Sequence, residues 1–222
     1  MKRLALSCLV LLGLGAPTMA DNFHPIQSVS SSTSAGDLWP ASNLIQGPGP
    51  GFNAAEPHDK NLGGPDGNWV TTDCGFPCDF ITKTGTPVLT FDLGSDVALA
   101  EISTWGYTTT NANGAKEFQL KFATSAEGTG AFGSSISYSP TFGAPLSDVT
   151  RSSNLFSQTV KARYVQMTIT DNYFTAPGDG SGGGLAGGDR VGLGEVAFEI
   201  VPEPSSLSLL LIGILGLRRR RA

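Results

Sequence analysis

Two cysteines, Cys74 and Cys78, sit in the stretch "DCGFPCDF", with Asp73 and Asp79 beside them. Their types and spacing admit three chemistries. A zinc site needs about four ligands, and no second cysteine pair or histidine cluster accompanies these two. The two histidines, His24 and His58, stand apart in loop-like sequence. A redox pair reads C-x-x-C, whereas here three residues intervene. A small disulfide loop in an oxidising compartment fits best. The flanking aspartates alone are weak grounds for glycosidase chemistry, which needs two carboxylates placed across a scissile bond.

The other reactive patterns are weaker still. No G-x-S-x-G elbow and no P-loop lysine occur. Gly182, Gly184 and Gly187 formally satisfy G-x-G-x-x-G. A dinucleotide site, however, needs that motif between a strand and a helix, and here a strand pattern follows it. The chain therefore reads as non-catalytic.

The elements that must carry these residues are strands. Phe118, Leu120 and Phe122 alternate with Glu117, Gln119 and Lys121. Val165, Met167 and Ile169 alternate with Tyr164, Gln166 and Thr168, and Val196, Phe198 and Ile200 with Ala197 and Glu199. Leu89, Phe91 and Leu93 repeat the pattern in "PVLTFDL". Period two marks strands with one buried face. No segment of the body holds a 3.6 period over about 12 residues, the mark of a helix. Short strands between long Gly/Pro-rich loops predict an all-β fold, a single jelly-roll sandwich. The loops are 46–68 and 175–190, and an irregular Ser-rich lead-in occupies 21–40.

Both ends carry address-like sequence. Lys2 and Arg3, the apolar run from Leu4 to Leu14 and the small residues around Ala20 read as a secretory signal peptide over 1–20. At the other end Pro202-Glu203-Pro204, an apolar run from Leu207 to Leu217 and Arg218 to Arg221 stand in order. That run falls short of the ~20 residues a comfortable span needs, and the arginines would hold it on the cytoplasmic side. Between the ends, residues 21–202 hold 8 of the 14 basic and 18 of the 19 acidic residues, a net charge near −10. Eight scattered basic residues make no footprint for nucleic acid.

The tail at 201–222 resembles the PEP-CTERM sorting signal of Gram-negative bacteria. That resemblance implies an exosortase-type protease as processing partner, transient anchoring in the inner membrane through the C-terminal segment, and an exported protein of the outer envelope or extracellular matrix. It also implies an association with exopolysaccharide and biofilm. The body at 41–200 resembles the discoidin, or factor 5/8 C-type, domains of the galactose-binding jelly-roll superfamily. The pieces that carry the likeness are "NLIQG", the tryptophan of "NWVT", "FDLG", "ARYVQMTI" and the glutamate of "GEVAFEI".

This second resemblance implies one structural calcium, with Asn43, Gln46 and Glu195 as ligands. Gln46 stands where the family has an aspartate, which puts Asp66 or Asn68 forward as compensating donors. It also implies a ligand end where loops meet. Sugar recognition there would fall to Trp105 and Tyr107 with Asn111 and Asn113, and to Tyr173 and Phe174. Trp69 is expected to plug the sandwich end, and Arg163 to fix loop ends through carbonyls or a carboxylate. The resulting reading is a matrix or envelope protein that binds or organises polysaccharide. A structural matrix protein with no specific ligand is the alternative.

Overall fold

The computed structural model describes residues 23–46, 67–146 and 151–201. The expected signal peptide at 1–20, most of the 46–68 loop including Asp66, and the sorting motif Pro202, Glu203 and Pro204 lie outside the described residues. Nine strands follow one another among those described: β1 Phe23–His24, β2 Ser28–Ser31, β3 Trp69–Val70, β4 Val88–Trp105, β5 Ala115–Ala123, β6 Thr141–Gly143, β7 Arg151–Asn172, β8 Gly192–Leu193 and β9 Glu195–Ile200. One α-helix, α1, spans Phe80–Thr84, and a 3-10 turn covers Ala41–Ile45.

The alternating segments all become strands with the predicted face inward. Leu89, Phe91, Leu93, Phe118, Leu120, Phe122, Val165, Met167, Ile169, Val196 and Phe198 are at most 1% exposed. Each such side chain stabilises the fold by about 1.5–3 kcal/mol relative to leaving it in water.

Strand length departs from expectation. Instead of short pieces, β4 runs for 18 residues and β7 for 22. They pair antiparallel along almost their whole length, with one register slip between the pairs Asp92–Tyr164 and Val97–Ala162 and a second between Leu99–Val160 and Glu101–Leu155; the first marks the bend. Leu93 to Asp96 thus oppose Arg163 alone, and a bulge of this kind bends and twists the ribbon. Before the first slip, β4 pairs with β2 and β7 with β5, which in turn carries β6. After it, β4 pairs with β9, which carries β1. The two halves of one hydrogen-bonded sheet therefore fold over as two layers. Phe91 meets Phe198 edge-on at 5.6 Å across the gap, and Phe122 meets Phe156 at 5.5 Å. The result is an all-β jelly-roll sandwich.

The lead-in at 21–40 is more regular than its composition suggests, because β1 and β2 lie within it as partners of β9 and β4. Trp69 is fully buried in the core, its indole N–H donating to the Thr33 carbonyl at 3.1 Å. Strand β3 pairs with β8 in a separate two-stranded sheet.

The bend has its own chemistry. Gly94 takes φ = 82°, a conformation costly for any residue with a Cβ. Its N–H donates to Asp92 Oδ1 at 2.7 Å. Arg163 grips the same carboxylate in a fork, Nε to Oδ1 at 2.8 Å and Nη2 to Oδ2 at 3.0 Å. Of the partners left open for Arg163, the carboxylate is the one it takes. That pairing, aided by the Gly94 N–H, holds the Asp92 carboxyl below its usual range despite partial burial.

Asp92 therefore favours its charged form when folded. The stability it adds is present above the ordinary carboxylate pKa of about 3.9 and is lost as pH falls through the lower folded value. We predict that Arg163→Ala lowers stability at neutral pH, because it leaves the Asp92 carboxylate without its fork. Arg163→Lys should recover only part of this, since a lysine cannot make the fork. Thermal melts should show the gap between Arg163→Ala and the parent closing as pH drops below about 4. A gap independent of pH would contradict this origin.

Candidate functional site

At one end of the sandwich two distant stretches run side by side. Thr71 donates through its N–H to the Val191 carbonyl, and Val191 returns an N–H to Thr71 Oγ1, both at 2.9 Å. Cys74 N–H reaches the Asp189 carbonyl at 2.9 Å, and Phe80 N–H reaches Gly188 at 2.8 Å. Between these two anchors lies the expected disulfide, Cys74–Cys78, with Cα atoms 6.3 Å apart. Asp79, one of the two flanking aspartates, caps α1 by accepting from the N–H groups of Ile81 and Thr82 and from the Thr82 hydroxyl. Lys83 Nζ closes the other side on the Cys74 carbonyl at 2.7 Å. The second aspartate, Asp73, accepts from Arg190 Nη2 at 2.9 Å, and Arg190 Nε lies 3.7 Å from Asp189 Oδ2. Phe76, at the tip, is 59% exposed.

The residues expected to meet a sugar are mostly occupied in building this end. Trp105 is fully buried and lies edge-on to Phe23, so it packs rather than presenting a ring face. Tyr107 is 7% exposed, and its ring lies so close to Gly192 that a Cβ there would stand 2.7 Å from it. Burial pushes the Tyr107 phenol above its usual range and keeps it protonated. Asn111 turns the chain by accepting from Asn113 N–H at 3.0 Å. Asn113, itself nearly buried, accepts from Gly188 N–H at 2.5 Å. Tyr173 donates its hydroxyl to the Ala144 carbonyl at 2.8 Å. Phe174 lies under the 175–190 loop: Gly188 has φ = 92°, and a Cβ there would meet the ring at 2.4 Å.

The structure thus gathers Tyr107, Asn113, Tyr173 and Phe174 as supports of the loop end and sets Trp105 apart. Reading the sequence did not single out Phe76 or Arg190. A signal for Phe76 did exist: an aromatic between glycine and proline inside so small a disulfide ring has no room to turn inward.

The residues expected to hold calcium are, apart from Asp66, among those described. The turn at 41–45 packs against β3 and β9. Asn43, Asn68 and Glu195 are buried, at 6%, 0% and 0% exposure. Asn43 Nδ2 donates to the Asn68 carbonyl at 2.7 Å, and Gln46 Nε2 donates to Asn43 Oδ1 at 3.0 Å. Carboxylate and amide oxygens are the donor types a hard cation takes, so Asn43, Gln46 and Glu195 fit calcium in type, with Asn43 Oδ1 already accepting from Gln46. Asn68 fits less well in the compensating role. Its side-chain oxygen accepts from Thr108 N–H at 3.1 Å, and its amide nitrogen donates to Thr108 Oγ1 at 2.6 Å. Among the described residues no three His, Cys, Asp or Glu side chains converge as a metal cluster.

No family model matches this chain, and no curated protein matches its sequence. Its likeness to solved structures lies in the fold. The family 32 carbohydrate-binding module of C. perfringens NanJ, solved in complex with galactose, superposes with a TM-score of 0.51 at 13% identity, over 81% of this chain and 98% of the module. A fragment of a candidate chitobiase from Bacteroides thetaiotaomicron gives a TM-score of 0.50 at 17% identity, over 86% of this chain and 99% of the fragment. At such identities the likeness establishes a shared fold: the described chain is a jelly-roll sandwich, as these two are.

Proposed function

We propose that this chain is an exported, non-catalytic protein of the cell envelope or extracellular matrix that binds or organises polysaccharide. The observation that supports it is the sandwich end, where widely separated loops are tied into one rigid rim on a fold also used by a module solved with galactose. Rigid loops on a β-scaffold are a common setting for recognition, and preorganisation lowers the entropy lost on binding. A glycan array probed with the full chain is expected to show saturable binding to a limited set of sugars. No binding to any glycan would favour the structural matrix protein.

A calcium ion near Asn43, Gln46 and Glu195 belongs to the same proposal. It would tie the turn at 41–45 to the start of the last strand, and the buried Glu195 carboxylate would supply the charge that Gln46 does not. A ligand that binds only the folded state stabilises it by about 2.7 kcal/mol at 100 times its dissociation constant. Melting curves with calcium and with a chelator should therefore separate, and Glu195→Gln should abolish most of the difference. Coincident curves at millimolar calcium would remove the ion from this reading.

The C-terminal sequence gives the proposal its location. Pro202-Glu203-Pro204, the apolar run and Arg218–Arg221 would be recognised by an exosortase-type protease after transient insertion in the inner membrane. Replacing the three motif residues with alanine should shift the protein toward the membrane fraction. An unchanged distribution between membrane and medium would argue for a plain anchor.

A further inference from the structure

We propose that Phe76 is the stacking platform of this loop end and that it takes a neutral pyranose. The inference rests on the polysaccharide reading above and assigns it a residue and a ligand class. Phe76 is 59% exposed, whereas the neighbouring aromatics Trp69 and Phe80 are buried at 0% and 1%. An apolar ring left in water adds nothing to folding, yet the chain is tied down on both flanks of this one. The Cys74–Cys78 bond closes the ring of chain that carries it. Cys74 N–H is bound to Asp189, Lys83 holds the Cys74 carbonyl, and Phe80 N–H is bound to Gly188. A ring held this way loses little conformational entropy when a flat apolar face packs on it. The C–H face of a pyranose is such a surface, and sugar sites combine an aromatic with a few placed polar groups.

Polar groups are carried on the same two stretches of chain. Asp73, three residues away, is paired with Arg190, and their side chains are 52% and 32% exposed. Asp189 stands next to Arg190 and is joined through its carbonyl to Cys74. Donor and acceptor side by side match the paired hydroxyls of a sugar. Arg190 and Lys83 against Asp73, Asp79 and Asp189 leave the loop end net negative by one, on a body near −10. A uronate or sulfate would be repelled from such a surface, so an uncharged sugar fits and a polyanion does not.

The test is affinity electrophoresis of the full chain through gels holding galactan, a neutral glucan or alginate. Retardation is expected in at least one neutral gel and not in alginate. Phe76→Ala should weaken it at least tenfold with an unchanged melting temperature, and Phe76→Trp should retain it. The Cys74→Ser/Cys78→Ser double variant keeps the ring but frees the loop, and should weaken binding several-fold. Equal retardation of the parent and Phe76→Ala would overturn this inference while leaving polysaccharide binding standing. Preference for alginate would overturn the neutral-sugar assignment. A parent retarded in no gel overturns the inference, and one that also binds nothing on a glycan array overturns the function itself.

Discussion

The fork between Arg163 and Asp92 holds the first of the two register slips through which the main sheet passes from one layer to the other. Before it, β4 and β7 belong to one layer of the sandwich, and after it to the other. Leu93 to Asp96 bulge out opposite Arg163, and such a bulge needs its polar groups satisfied and its backbone bent sharply. Asp92 does both: one oxygen receives Gly94 N–H as well as Arg163, and the other completes the fork. The N-terminal strands depend on the same spot. Gln27 N–H bonds to the Asp92 carbonyl at 2.8 Å, and His24 Nε2 donates to the Leu93 carbonyl at 3.0 Å. An unbent sheet would carry Phe91 of β4 and Phe198 of β9 on one continuous surface, and the core between the layers would not exist.

Folding the ribbon over leaves the sandwich open at its ends, and loops close it. At the end described above, labour is divided among residues. Asn113, Asn172 and Phe174 fasten the glycine-rich loop from beneath through Gly188. The loop's far side, Asp189 and Arg190, then serves as a fixed rail for the disulfide-closed stretch. Glycine is required at 188 because the backbone passes directly over the Phe174 ring at positive φ. What reaches solvent there includes the Phe76 ring and the Asp73–Arg190 pair. The residues that build the end and the residues that face outward are different sets.

That division explains what could be read in advance. Strand faces were legible because alternation is a local property, and Leu120 or Met167 points inward whatever lies opposite. The disulfide was legible from the closeness of Cys74 and Cys78. The fusion of "LTFDLG" with "VALAEISTW" into one strand was not, since Gly94 reads as a strand end until Arg163, 69 positions further along, closes the bend. The strands of the lead-in were hidden for a similar reason: Ser28–Ser31 has no apolar period and is ordered by its pairing with β4. Among the proposed sugar contacts, Trp105 and Tyr107 have the right chemistry in the right stretch. Their burial is set by Phe23 and Gly192, far away in the chain. Arg190 carries no local signal, because Asp73 becomes its partner only through folding.

In the proposed function a rigid loop end, held up by a bent sheet, receives a sugar. The most direct measurement is a titration of the 15N-labelled chain with a neutral galacto-oligosaccharide, followed through its amide resonances. Shifts are expected at Gly75, Phe76, Asp189 and Arg190, with Asp92, Gly94 and the strand amides of β4 and β7 unmoved. Shifts centred on the bend or the sheet faces, or none at saturating sugar, would contradict that function.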